Sequence, residues 1–160
     1  MPAIDPGATI GHIHLKVADL ERSVAFYRDV LGFELTGRFA RMAALSAGGY
    51  HHHIGLNTWE SAGGAPPARG ATGLYHFAIR YPTRAALARA VVGVLKAGVP
   101  LEGAADHGVS EAVYLRDPDD NGIELYWDKP RDRWPRADGE ITMLTEPLDL
   151  EALLAEAQRG

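Results

Sequence analysis

The sequence predicts an α+β fold in which one supersecondary unit is used twice, and three observations carry that expectation. A strand of period-two alternation with a histidine on its polar side occurs at residues 10–17 and again at 74–81. Each is followed by a capped amphipathic helix and then by three short β-prone runs, so the element order is βαβββ both times. A stretch rich in glycine and proline, residues 61–72, separates the copies. The chain therefore reads as one domain of 1–160, with a first module at 8–60, a linker at 61–72, a second module at 73–128 and a C-terminal extension at 129–160.

In the first strand Ile13, Leu15 and Val17 share one face while His12, His14 and Lys16 share the other. Asp19 is placed to cap a helix striped by Leu20, Val24, Tyr27 and Leu31, and Gly32 suits the residue after its last turn. Strands are expected at 33–36 and 41–46, then a turn at Ala47-Gly48-Gly49. A further strand over 50–59 is expected to carry the run His51-His52-His53.

The second copy repeats the pattern. Phe77, Ile79 and Tyr81 oppose His76, Ala78 and Arg80. Thr83 caps a helix striped by Leu87, Val91, Val94 and Leu95 and ended by Gly98. Strands at 99–102, 112–116 and 123–127 complete it. The last two flank Asp117-Pro118-Asp119-Asp120-Asn121-Gly122, which is dense turn chemistry, and so form a hairpin. Glu124 stands in the centre of the final strand, on the face opposite Ile123, Leu125 and Trp127. A carboxylate there needs a cationic partner, either Arg or Lys or a metal ion. Beyond residue 128 the chain is basic and proline-rich, as in a solvated tail. Residues 141–144 suit a short strand. Asp149 caps a last helix whose Leu150, Leu153 and Leu154 must pack on the body or on a partner subunit.

Composition narrows the function. The 160 residues are 46% hydrophobic and 23% charged, as in a folded globular protein. A net charge of −5, with no basic run to offset it, argues against nucleic acid. No segment has the make-up of a signal peptide or a bilayer span, which sets a cytoplasmic protein with no membrane partner as the expectation. Cysteine is absent, so a metal would be held by nitrogen and oxygen donors. All seven histidines fall in four short clusters: His12 and His14, His51 to His53, His76, and His107.

The repeat, together with the helix ending Phe26-Tyr27-Arg28-Asp29-Val30-Leu31-Gly32, resembles the vicinal oxygen chelate superfamily of glyoxalases, bleomycin-resistance proteins and type I extradiol dioxygenases. The resemblance covers roughly residues 10–134 and implies paired βαβββ modules that form an open curled sheet around a divalent metal. It places the metal ligands at His12, His76 and Glu124, all on polar strand faces. Two imidazoles and a carboxylate make a facial triad that leaves open positions for substrate and oxygen. The fourth protein ligand of glyoxalase I would fall at Gly55, which has no side chain to ligate.

Around that triad the pattern is similar to the extradiol signature: His107, Val113-Tyr114, Asp117-Pro118, then Glu124. Ala105 and Asp120 depart from it. The departure at Asp120 is absorbed if the turn shifts by one residue toward Gly122. The resemblance makes Tyr114 a hydrogen-bond partner of bound catecholate, with His107 beside it, and makes His52 the acid/base. His53 is the alternative, because strand register near a bulge is open.

The activity implied by this resemblance is that of an Fe(II) enzyme (Mn(II) or another divalent metal being the alternative) that opens a catechol-like ring with O2. Phe39, Trp59, Tyr126 and Trp127 are candidate pocket walls. The competing functions are an oxygen-independent metalloenzyme (a glyoxalase-like lyase, isomerase or epimerase), an antibiotic-modifying thiol transferase, and an antibiotic-binding resistance protein. The resemblance also implies a homodimer or higher homo-oligomer.

Overall fold

A computed structural model describes residues 3–159. The chain divides into two compact units, Met1–Ala65 and Pro66–Gly160, with the boundary inside the expected linker. Among the described residues no helix is long and apolar enough to cross a membrane.

In the first unit β1 (Ile13–Lys16), α1 (Leu20–Ala25), β2 (Glu34–Phe39), β3 (Met42–Ser46) and β4 (Ile54–Asn57) follow the expected order. The sheet runs β1-β4-β3-β2, with β1 parallel to β4 and the other pairs antiparallel. Asp19 caps α1 by accepting from the Arg22 amide. The helix does not continue as a plain α-helix: Phe26–Val30 form a π-helical turn. That turn buries both Phe26 and Tyr27, where the α-helical stripe calls for Tyr27 alone. Gly32 then closes it at φ 79°. Leu15, Val17, Leu20, Val24, Tyr27, Leu45, Ile54 and Leu56 make the core.

The second unit repeats this with β5 (His76–Arg80), α2 (Arg84–Lys96), β6 (Leu101–Asp106), β7 (Ser110–Arg116) and β8 (Gly122–Asp128). Its sheet runs β11-β6-β7-β8-β5, β11 being Glu146–Pro147 of the extension, so the β1-β4-β3-β2 order recurs as β5-β8-β7-β6. β5 again runs parallel to β8. Even the irregularity recurs. Register shifts between Leu35 and Gly37 on β2 and between Leu101 and Gly103 on β6. On α2 the fully buried residues are Leu87, Ala88, Val91 and Val94, while the expected Leu95 is 42% exposed. Ala88 lies beside Leu87 and Val91 on the buried side, and Leu95, though it projects to that side too, falls in the last turn of the helix.

Three expectations are corrected. The strand expected over 50–59 is only Ile54–Asn57, and the histidine run precedes it in a loop. Gly48 and Gly49 at φ 65° and 76° turn the chain. The Thr36 hydroxyl on β2 donates to the His51 carbonyl at 2.8 Å, so a side chain holds the loop there, and main-chain bonds to the neighbouring strands begin only at His53. In the β7–β8 turn Asp120 itself takes φ 67°, and the turn does not shift to Gly122. Asp117 makes this possible by accepting from the Asp119 and Asn121 amides, both at 2.9 Å. Gly122 is needed for a different reason: a Cβ there would lie 2.2 Å from the Tyr75 carbonyl oxygen.

The third correction concerns the extension: Arg131, Arg133 and Arg136 are exposed as expected, but the segment is anchored on the second sheet. Lys129 pairs with both oxygens of Asp106, at 2.6 and 2.7 Å. The expected strand at 141–144 is replaced by short pieces: β9 (Arg136–Ala137) with β10 (Glu140–Ile141), then β11 (Glu146–Pro147) on the edge of β6. Asp149 caps α3 (Leu150–Ala155), which packs on α2 with Leu153 wholly buried. Arg84 of α2 reaches α3 through the Ala152 carbonyl at 3.3 Å and Glu156 at 3.4 Å, and β7 through Glu111 at 2.6 Å.

Candidate metal and substrate site

In the first unit His12 immediately precedes β1 and is exposed, on the same side as His14 and Lys16. The His52 ring sits beside it, with centroids 4.5 Å apart. On its other side His52 meets His51, Nδ1 to Nδ1 at 2.6 Å, so one of these two nitrogens carries a proton and the other accepts it. Partial burial, and then the charges of His12, His51, His14 and His53, hold His52 below the ordinary imidazole range. His53 is engaged elsewhere. Its Nδ1 accepts from the Ala47 amide at 3.3 Å and lies 3.0 Å from the Ser46 hydroxyl, and its ring stacks near Tyr50. Of the two candidate acid/base histidines, His52 is the one beside His12.

Gly55 pairs with His14 across the parallel β1–β4 ladder, as Glu124 pairs with Ala78 across β5–β8. Ile13↔Ile54 and Phe77↔Ile123 are the preceding pairs, so Gly55 and Glu124 hold equivalent places in the two sheets. A Cβ at Gly55 would stand 3.0 Å from His14 Cγ. His14 fills the space a side chain there would need.

In the second unit the candidates form one hydrogen-bonded series. His76 Nε2 lies 3.1 Å from Glu124 Oε2. The Tyr114 hydroxyl lies 3.1 Å from Glu124 Oε1 and 2.7 Å from His107 Nε2. Strand geometry explains the grouping. Tyr114 and Glu124 are directly opposed on β7 and β8, and His76 enters from the parallel neighbour. Burial, and then the Glu124 carboxylate, push Tyr114 up to about 12. Beside the series is a cavity of about 380 Å³ lined by Tyr75, His76, Glu102, Tyr114 and Arg116 among others. Tyr126 and Trp127 are half-buried in this unit, while Phe39 and Trp59 of the other are 64% and 55% exposed.

Sequence reasoning missed two contributors here. Arg116, two residues beyond Tyr114 on the same strand face, is held by both oxygens of Glu102 at 3.0 Å. The Leu144 carbonyl accepts from His107 Nδ1 at 2.9 Å, a main-chain bond that leaves no trace in residue identity. Within neither unit, among the described residues, are three or more His, Asp or Glu side chains gathered tightly enough to hold an ion.

The chain matches the family model described as the Glyoxalase/Bleomycin resistance protein/Dioxygenase superfamily over residues 9–125. It is 43% identical over 158 residues to a catechol-2,3-dioxygenase of Bacillus subtilis (strain 168), covering 98% of this chain and 55% of that protein. A biphenyl-2,3-diol 1,2-dioxygenase 3 of Rhodococcus globerulus is 32% identical over 120 residues, covering 74% and 63%. The chain thus spans between half and two thirds of the length of these curated relatives. Among solved structures, a lactoylglutathione lyase from Agrobacterium tumefaciens superposes with a TM-score of 0.60 at 25% identity, covering 77% of this chain and 96% of that one. A glyoxalase/dioxygenase from Nostoc punctiforme gives 0.65 at 22%, covering 81% and 99%. Both repeated sheets and the family match lead to the same place: the chain belongs to the Glyoxalase/Bleomycin resistance protein/Dioxygenase superfamily.

Proposed function

We propose that the chain carries out extradiol cleavage of a catechol-like aromatic ring with O2, in aromatic catabolism, using a divalent metal held by His12, His76 and Glu124. The observation that carries this reading is the His107–Tyr114–Glu124–His76 series. It presents a carboxylate oxygen and an imidazole nitrogen 3.1 Å apart, a spacing at which two donors can share one ion. The donor set fits the group: two neutral imidazoles and one carboxylate suit Fe(II), and Mn(II) accepts the same donors. When bound, the metal would supply the acidification of the catechol and the redox chemistry that reaction with O2 requires.

The chain's own residues account for the rest. His52, kept below the usual imidazole range, is neutral near pH 7 and ready to accept a catechol proton at a ring nitrogen. Tyr114, kept protonated by burial and by Glu124, presents its phenol oxygen as an acceptor to a catechol hydroxyl. His107 holds that hydroxyl from the far side. The similarity to a catechol-2,3-dioxygenase and a biphenyl-2,3-diol 1,2-dioxygenase supports this over other chemistries of the family. An oxygen-independent lyase is the second reading, favoured by the fold shared with lactoylglutathione lyase. Gly55 weighs against it, because the place equivalent to Glu124 carries no donor. A cytoplasmic homodimer or higher homo-oligomer completes the proposal. Since α3 packs on α2, another surface would carry that association.

The test is oxygen uptake by Fe(II)-reconstituted protein given a panel of catechols. Uptake matched by a yellow ring-fission product, and lost together with bound metal in Glu124→Ala, is the expected result. Bound metal with no oxygen consumed on any catechol would turn the reading to the lyase class.

A further inference from the structure

The C-terminal extension runs back over the edge of the second sheet as a strap, and one of its residues reaches the hydrogen-bonded series. Leu144 meets His107 twice. Its amide donates to the His107 carbonyl at 2.9 Å, and its carbonyl lies 2.9 Å from His107 Nδ1. The strap is anchored on both sides of this contact. Upstream, the Trp134 indole donates to the Lys129 carbonyl, Lys129 is clamped by Asp106, and Thr142 donates to the Pro135 carbonyl. Pro135 lies so close to Gly108 that a Cβ on Gly108 would stand 2.7 Å from its Cγ. Downstream, β11 pairs with Ala105 and Asp106 on β6. Leu144 is 41% exposed with its Cδ1 beside Gly108, and the hydrogen bonds to His107 come from its backbone.

A carbonyl oxygen only accepts, so His107 Nδ1 must carry a proton where the two meet. In a neutral imidazole the other nitrogen is then bare. Tyr114 has one proton and two acceptors in reach, His107 Nε2 at 2.7 Å and Glu124 Oε1 at 3.1 Å. We propose that the Leu144 carbonyl is a positioning group that locks His107 in its Nδ1–H form, which draws the Tyr114 proton to Nε2 and leaves both Glu124 oxygens free to ligate. In the opposite tautomer Nε2–H would donate to the phenol oxygen, and the phenol proton would turn onto Glu124. The inference rests on the reading of Tyr114 and Glu124 as site residues. The extension then sets the proton arrangement of the site from outside the repeated modules.

Long-range proton–nitrogen correlation spectra of the metal-free full chain read the tautomer directly, with His107 assigned by its loss in His107→Gln. A protonated Nδ1 with a bare Nε2 is expected, and an Nε2–H form in the wild type overturns the proposal. Leu144→Pro removes the amide that docks the strap, and the Nε2–H form should appear. With metal and catechol, its kcat should fall about tenfold at little changed KM, as for loss of an outer partner of a metal site. Leu144→Ala keeps both backbone groups and should match the wild type in tautomer and turnover. A single Nδ1–H form in Leu144→Pro, or a changed one in Leu144→Ala, overturns it too. If Leu144→Pro does not fold, the wild type and Leu144→Ala still decide. The spectra require no turnover, so failure of the dioxygenase reading is distinguishable from failure of this one.

Discussion

The two modules have the same strand order, the same parallel pairing of first and last strands and the same bulge, yet they supply different chemistry. At matched ladder positions the first module pairs His14 with Gly55 and the second pairs Ala78 with Glu124. The large polar side chain has moved from the first strand to the last. A parallel pair holds one long side chain at such a position comfortably, and which strand provides it decides whether a carboxylate reaches the polar face. The first module instead supplies nitrogen donors from its loop, His51 and His52, beside His12. Duplication repeats the scaffold, and single ladder positions make its two halves unequal.

The largest effect on the comparison should come from Gly122→Ala. The new methyl would meet the Tyr75 carbonyl at 2.2 Å and His76 Cβ at 3.0 Å, at the start of the ladder where His76 pairs with Gly122. We expect a loss of about 3 kcal/mol, at the upper end for overpacking, read as a lowered denaturant midpoint. Metal affinity should fall with it, because His76 is the residue pushed. A midpoint equal to wild type would mean that the two strands separate freely there.

His52→Phe tests the first module's share of the chemistry. The ring packing beside His12 is kept while the exchangeable proton is removed. Turnover should drop by about 10² or more, the usual weight of a placed acid/base, with bound metal unchanged. His53→Phe should lower stability instead, since His53 is bonded to the Ser46–Ala47 turn. If the two variants exchange these outcomes, the acid/base is His53.

Much of this was legible in the sequence, because alternation and capping are local signals. His12, His76 and Glu124 fall on polar faces, and Asp19, Thr83 and Asp149 all cap the helices they precede. What escaped depends on main-chain geometry or on distant partners. The π-helical turn at Phe26–Val30 alters which residues of a periodic stripe are buried, and no residue type announces it. The histidine loop looked like strand because β propensity does not register a hydroxyl such as that of Thr36 bonding a carbonyl fifteen residues away. The strap over His107 is invisible for the same reason. Its bonds come from the backbone of Leu144, whose side chain suggests only burial.

The finest probe of the comparison is a double-mutant cycle at the ladder position where the modules differ. Gly55→Ala alone puts a methyl 3.0 to 3.3 Å from three atoms of the His14 ring, which must tilt away from its contact with Trp59. A cost of about 1 kcal/mol is expected, the lower end for a small overpacking. His14→Ala alone removes an exposed ring and should change stability by less than about 0.5 kcal/mol. Together the two substitutions recreate the small-residue environment that Ala78 gives Glu124. The gain from replacing a strand glycine should then surface, at about 0.5 kcal/mol or more. The coupling between the sites is therefore expected at about 1–2 kcal/mol, well beyond the scatter of independent positions. Simple additivity would mean that the His14 ring does not exclude a side chain at residue 55. The first module would then lack its carboxylate for a reason other than space.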